Sequence, residues 1–144
     1  MRATDRSSIY LSIFKRKGGE SLNTKIVNED NKNDYGNLFS QLEAHEKPLL
    51  IYFVNMLNWV LLTNSRVLKS EEGITTFLCL IDIVEIRPAL HEEIKDRIFN
   101  KKKFTRLKIK TIDGGFFILD WESGQAYEGV YQVLHFIADT NANN

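Results

Sequence analysis

The sequence has one cysteine, no excess of either charge and no apolar run of membrane-spanning length, and each shortage removes a class of protein. Cys79 alone cannot build an intramolecular disulfide framework or a cysteine-rich zinc site, and it fits a reducing compartment. The 19 basic and 19 acidic residues cancel. No global field therefore draws the molecule to nucleic acid or to an anionic surface, and any electrostatic partner must be met by a local patch. The longest apolar stretch, PLLIYFVNMLNWVLL (residues 48–62), falls short of the roughly 20 residues of a membrane helix and is broken by Asn55 and Asn58. Near the start, the apolar patch from Ile9 to Phe14 is shorter than the core of a typical signal peptide and runs into Lys15, Arg16 and Lys17. The expectation is a cytoplasmic protein with no nucleic acid among its partners.

Catalytic and metal-binding patterns are equally scarce. His45, His91 and His135 show no H-x-x-x-H spacing and no neighbouring ligand cluster. DNKNDYG (residues 30–36) resembles a calcium loop, but its glycine falls one place late, Lys32 sits at a ligand position and the closing bidentate Glu is missing. KGG and DGG lack the Gly-Lys-Ser/Thr ending of a phosphate loop. Cys79 lies within TTFLCL and reads as a small buried hydrophobe. Glu92 and Glu93 are adjacent, so on a helix they point about 100° apart and read as a solvated face rather than an acid–base pair. No enzyme, cofactor or metal is expected.

What is present is strand grammar. Leu49 onward offers LLIYF, WVLL, VLKS, ITTFLCL, VEIR, RLKIKT and GFFIL, runs rich in β-branched and aromatic residues and separated by turn-forming segments. These are seven candidate strands. TNSR (residues 63–66) reads as a tight reversal, because Asn and Ser bond back to nearby backbone and Asn tolerates left-handed dihedrals. DGG (residues 113–115) suits a type I′ hairpin. Residues 1–33 read as an N-terminal extension, in which the alternation of Ile9, Leu11 and Ile13 predicts a short hairpin with TKIV. Residues 34–47 predict a short helix capped by Asp34 and ended before Pro48. A further short helix is expected in EIRPALHEEIKDRIFN, with Pro88 in its first turn and Leu90, Ile94 and Ile98 on one face; a loop over the barrel mouth is the rival reading. In the last segment Ala126, Val130, Val133, Leu134 and Ile137 form an apolar stripe, and Gly129 suits close approach to a strand. Residues 141–144 read as a disordered tail.

WVLLTNSRVL, then LIDIVEI, then RLKIKTIDGGFFIL and a terminal amphipathic helix, resemble the bacterial pleckstrin-homology-like (PH-like) domains. The resemblance covers residues 48–140. It implies a mostly β (α+β) fold, a partly open barrel of about seven antiparallel strands with the C-terminal helix plugging one end. It also implies a platform for proteins or lipids rather than a catalyst. The place of the usual phosphoinositide-binding residues corresponds here to LLIYFVNMLNWVLL, which contains no Lys or Arg.

The strongest local charge feature is KKKFTRLKIK (residues 101–110). Its Lys101, Lys102, Lys103, Arg106, Lys108 and Lys110 are the candidate partner-binding residues. On a strand Arg106, Lys108 and Lys110 would share one face. They could meet a phosphate, an anionic lipid head group or an acidic protein surface. The competing and stronger reading is a solvated face whose lysines discourage edge-to-edge strand pairing. The expected function is a non-catalytic interaction module for a protein partner. The alternatives are a toxin-neutralising immunity protein, by analogy alone, or binding to an anionic lipid surface through residues 101–110.

Overall fold

Seven segments that alternate or run apolar do become strands, and their order sorts them into two antiparallel sheets. The computed structural model describes residues 5–143. β1 (Thr24–Ile26), β2 (Pro48–Asn55), β3 (Asn58–Thr63), β4 (Arg66–Glu71) and β5 (Ile74–Cys79) form the first sheet in that spatial order. β6 (Ile83–Pro88), β7 (Arg106–Thr111) and β8 (Phe116–Asp120) form the second. The fold is α+β, and the two sheets do not join into a closed barrel.

The turns follow from their residues. Glu72 and Gly73 both carry positive φ (52° and 85°), which gives the two-residue β4–β5 reversal the twist that strands prefer. The Asp113-Gly114 turn departs from the expected type I′. Gly114 has φ 88° and donates its N–H to Thr111 O, while Thr111 N–H bonds to Gly115 O, closing a three-residue loop. At TNSR, Asn64 stays at negative φ and uses its side chain elsewhere. Its Oδ1 accepts from Lys47 N–H at 2.8 Å, and Asn64 N–H bonds to Lys47 O at 3.1 Å. Beside it, the Glu46 carboxylate takes Arg66 Nη2 at 2.6 Å and Nε at 3.0 Å, with Thr63 Oγ1 at 2.6 Å and Ser65 Oγ at 3.2 Å. The apolar run pauses for four residues so that three of them can hold one buried carboxylate.

That carboxylate accounts for residues 34–47. In place of the expected helix stand a 3₁₀ turn (Lys32–Tyr35), the one-turn helix α2 (Gly36–Phe39) and irregular backbone; Asp34 caps nothing. The segment is stretched because it must cover the outer face of the first sheet with Leu38, Phe39 and Leu42 and still deliver Glu46 to Arg66. Tyr35 meets Phe53 there at 5.5 Å between ring centroids.

The N-terminal extension also differs from expectation. Residues Ser7–Lys17 form α1, not a strand. Tyr10, Ile13 and Phe14 lie three and four apart, so a helix buries all three, whereas a hairpin would bury Ile9, Leu11 and Ile13. Lys15, Arg16 and Lys17 then complement the negative end of the helix dipole. The TKI strand exists as β1 but pairs with β2.

α1 packs on α4 (Gln125–Ala142), the C-terminal helix, which also lies on β6. Gly129 serves that helix crossing and not the approach to a strand. A Cβ there would sit 2.7 Å from Phe14 Cδ1, and one at Gly18 would sit 2.6 Å from Gly129 Cα. α4 runs on to Ala142, so residues 141 and 142 of the expected tail are helical; residue 144 lies outside the described residues. Asn141 Nδ2 ties the last turn to Leu80 O and Ile83 O at 2.8 and 2.9 Å. Between the sheets and the helices sits the main core, with Phe14, Leu50, Leu107, Ile109 and Val133 fully enclosed.

Candidate functional site

β7 places its residues as alternation demands. Leu107 and Ile109 are buried, and Arg106, Lys108 and Lys110 take the opposite face of the second sheet. The six candidate cations nevertheless fall into three settings. Arg106 is bound inside the fold: it meets Asp96, Glu93 (3.4 Å) and Asp120 (3.8 Å), and its Nη1 donates to Glu92 O at 3.0 Å. Burial works against its charge and is the largest single influence, but the hydrogen bond to Asp96 and the charges of Asp96, Glu93 and Asp120 together outweigh it and raise its pKa. Its charge is met by carboxylates of the fold itself. Lys108 lays its ammonium 4.5 Å from the centroid of the Phe116 ring, on the outer sheet face with Lys110. Lys101, Lys102 and Lys103 form a 3₁₀ turn before β7 and are exposed.

The insertion between β6 and β7 corrects the expected helix face. Pro88 ends β6, and α3 spans Leu90–Lys95. Its inward residue is Glu93, fully buried, with Oε2 accepting from Thr105 N–H at 3.0 Å and Oε1 facing Arg106. The expectation of a solvated Glu93 fails because Arg106, itself half-buried, supplies a counter-charge thirteen residues away in sequence. With the carboxylate turned in, Leu90 and Ile94 turn out, 52% and 54% exposed, and Phe99 stands 74% exposed. A hollow of about 180 Å³ between Pro88, Lys101, Phe104, Tyr127, Glu128 and Tyr131 adjoins this segment.

The second surface is the corner where the two sheets fail to meet. The bonds Thr111 N–H to Gly115 O and Trp121 N–H to Thr105 O fix the alternation along β8. Phe116, Ile118 and Asp120 therefore turn their backbone N–H and C=O groups away from β7. On the facing sheet, Leu80 N–H to Ser65 O fixes β5 in the same way, and Thr75, Phe77 and Cys79 point outward. Two strand edges thus flank a groove of about 400 Å³ lined by Lys69, Glu71, Ile74, Thr76, Phe116, Phe117 and Ile118. Ile74 and Phe116 are exposed.

Lys69 spans the groove floor. Its ammonium donates to Ile118 O on β8, pairs with Glu71 at 3.0 Å and lies 4.6 Å from the Phe117 ring centroid. It fills an acceptor that a neighbouring strand would otherwise use. Asp120, at the groove's end, has its pKa raised by burial and by Glu71, with Lys69 and Arg106 pulling it back.

Sequence reasoning missed both surfaces' apolar members. Leu90 and Ile94 carry helical spacing, the usual mark of a buried face, and nothing local distinguishes an outward stripe. Ile74 and Phe116 open runs that alternate like any strand. What marks them is the missing partner across the corner.

No protein-family model, curated protein or solved structure matches the chain. No helix among the described residues is long and apolar enough to cross a membrane, and no three of their His, Cys, Asp or Glu side chains group to hold a metal ion.

Proposed function

We propose that the chain is a non-catalytic interaction module, a PH-like scaffold that takes an extended segment of a partner protein into the open corner between β5 and β8. The element order supports the scaffold reading: a four-strand meander β2–β5, a three-strand meander β6–β8, then a helix packed on β6. One observation carries the binding reading. The outward N–H and C=O groups of β8, apart from the Ile118 carbonyl that Lys69 holds, border a groove walled by Ile74, Phe116, Phe117 and Ile118, and a polypeptide that displaces Lys69 can satisfy both backbone and apolar wall by adding a strand. The buried carboxylates Glu46 and Glu93 support the non-catalytic part, because each is spent on an arginine and neither lines the groove.

The test is site-specific crosslinking in native lysate, with a benzophenone side chain at Phe116. The expected result is a discrete heterologous adduct that Ile74→Ser or Ile118→Pro reduces several-fold. Ile118→Pro removes an outward N–H without touching the β7 ladder. Adducts indifferent to both changes would end the reading, as would a crosslinked homodimer, which would give the corner to a second copy.

A further inference from the structure

The insertion between β6 and β7 sorts its charges by direction. Along the sequence, Glu92, Glu93 and Asp96 are mixed with Lys95, Arg97, Lys101, Lys102 and Lys103. In three dimensions Glu93 is buried against Arg106, Asp96 pairs with the same guanidinium at the surface, and Glu92 is half-buried. The five cations stand exposed, and none forms an ion pair among the described residues. Between them Leu90, Ile94 and Phe99 are each more than half exposed. A short helix with its acid inward and its aliphatic residues outward is the reverse of what a water-facing helix does. The exposed part of the segment thus carries three large apolar side chains and five cations, with Asp96 paired to Arg106.

We propose that this segment, from α3 through Lys103, is a docking surface for an anionic membrane. Leu90, Ile94 and Phe99 enter the boundary between head groups and acyl chains, and the cations meet lipid phosphates and carboxylates. Two features favour a bilayer over an acidic protein. Four of the five cations are lysines, point charges on flexible stems that suit a diffuse anionic plane, where a shaped protein ligand would call for bidentate arginine. The hollow beside the segment carries Glu128, which repels an acidic side chain seeking to enter. α3 is six residues long, roughly 9 Å, so the anchor is shallow and the attachment reversible. Lys108 and Lys110, on the outer face of the second sheet, are not part of it. The inference stands apart from the corner groove and does not require it.

The full chain would be sedimented with vesicles of phosphatidylcholine containing about one-third phosphatidylserine, and with vesicles of phosphatidylcholine alone. The expected result is binding to the first and not the second, weakening about tenfold or more between low salt and roughly 0.5 M salt. The triple variant Lys101→Glu, Lys102→Glu, Lys103→Glu is expected to lose at least about tenfold in binding at an unchanged denaturation midpoint, since these side chains hold no ion pair. Phe99→Ser, which keeps every charge, is expected to weaken binding at fixed salt. In Phe99→Trp the added indole is expected to shift to the blue on the anionic vesicles, against a constant background from the buried Trp59 and Trp121. Equal binding to both vesicles, no binding, or indifference to the triple variant would overturn the proposal. Binding to soluble polyglutamate without binding to vesicles would assign the patch to an acidic protein and overturn it equally.

Discussion

The two flanks of the sandwich solve the same problem in opposite ways. On one, the gap is sealed by helices: Phe14 of α1 lies against Gly129 of α4 so closely that a single added methyl group would collide. On the other, β5 and β8 are left apart, and one lysine reaches across in place of a strand. The sealed flank shows where the chain commits its apolar surface to stability. The open corner shows where it withholds that surface.

Four substitutions would break or sharpen the contrast, taken from the largest effect to the smallest. Phe14→Ala is expected to cost about 3–5 kcal/mol by equilibrium denaturation, because it hollows a fully enclosed site. A loss below about 1 kcal/mol would mean that α1 is an appendage after all. Glu46→Gln is expected to cost about 3 kcal/mol at neutral pH. Burial pushes the Glu46 carboxyl up, but Arg66 and Thr63 outweigh it and hold the pKa at about 2, below the ordinary 4.5. The sign follows from that depression. The extra stability is complete above pH 4.5 and fades as the pH falls toward about 2. The curves of the wild-type protein and of the Glu46→Gln variant should therefore converge in acid, and a gap that persists near pH 2 would place the stabilisation elsewhere.

Gly129→Ala is expected to cost about 1–3 kcal/mol, against the usual gain of helix propensity, because its methyl group meets the Phe14 ring. Pairing it with Phe14→Leu should return part of the loss, and strict additivity would deny the contact. Ile74→Ser, at the open corner, is expected to change stability by less than about 0.5 kcal/mol while reducing the crosslink at Phe116 several-fold. A large loss of stability there would show the groove to be part of the core.

Much of this was legible in the sequence where the signal is local. All seven strands from β2 to β8 could be read from apolar alternation and from turn residues, and the terminal helix from its stripe at three- and four-residue spacing. Reading failed where the deciding partner is distant. Ile9–Phe14 fits both periods, and the choice falls to Gly129 on α4. Glu46 and Glu93 look like surface residues until Arg66 and Arg106 claim them. Of the basic candidates, Lys101, Lys102 and Lys103 remain free for a partner, whereas Arg106 is consumed by the fold, a division that charge counting cannot make.

The Phe14–Gly129 contact also sets an order of events during synthesis. The helix bearing Phe14 leaves the ribosome about a hundred residues before its counterpart is made, a wait on the order of ten seconds at cellular elongation rates. Throughout that interval the nascent aromatic face is bare, and the strands emerging behind it have no roof. The Phe14 contact can close only once the late-made helix carrying Gly129 has left the ribosome.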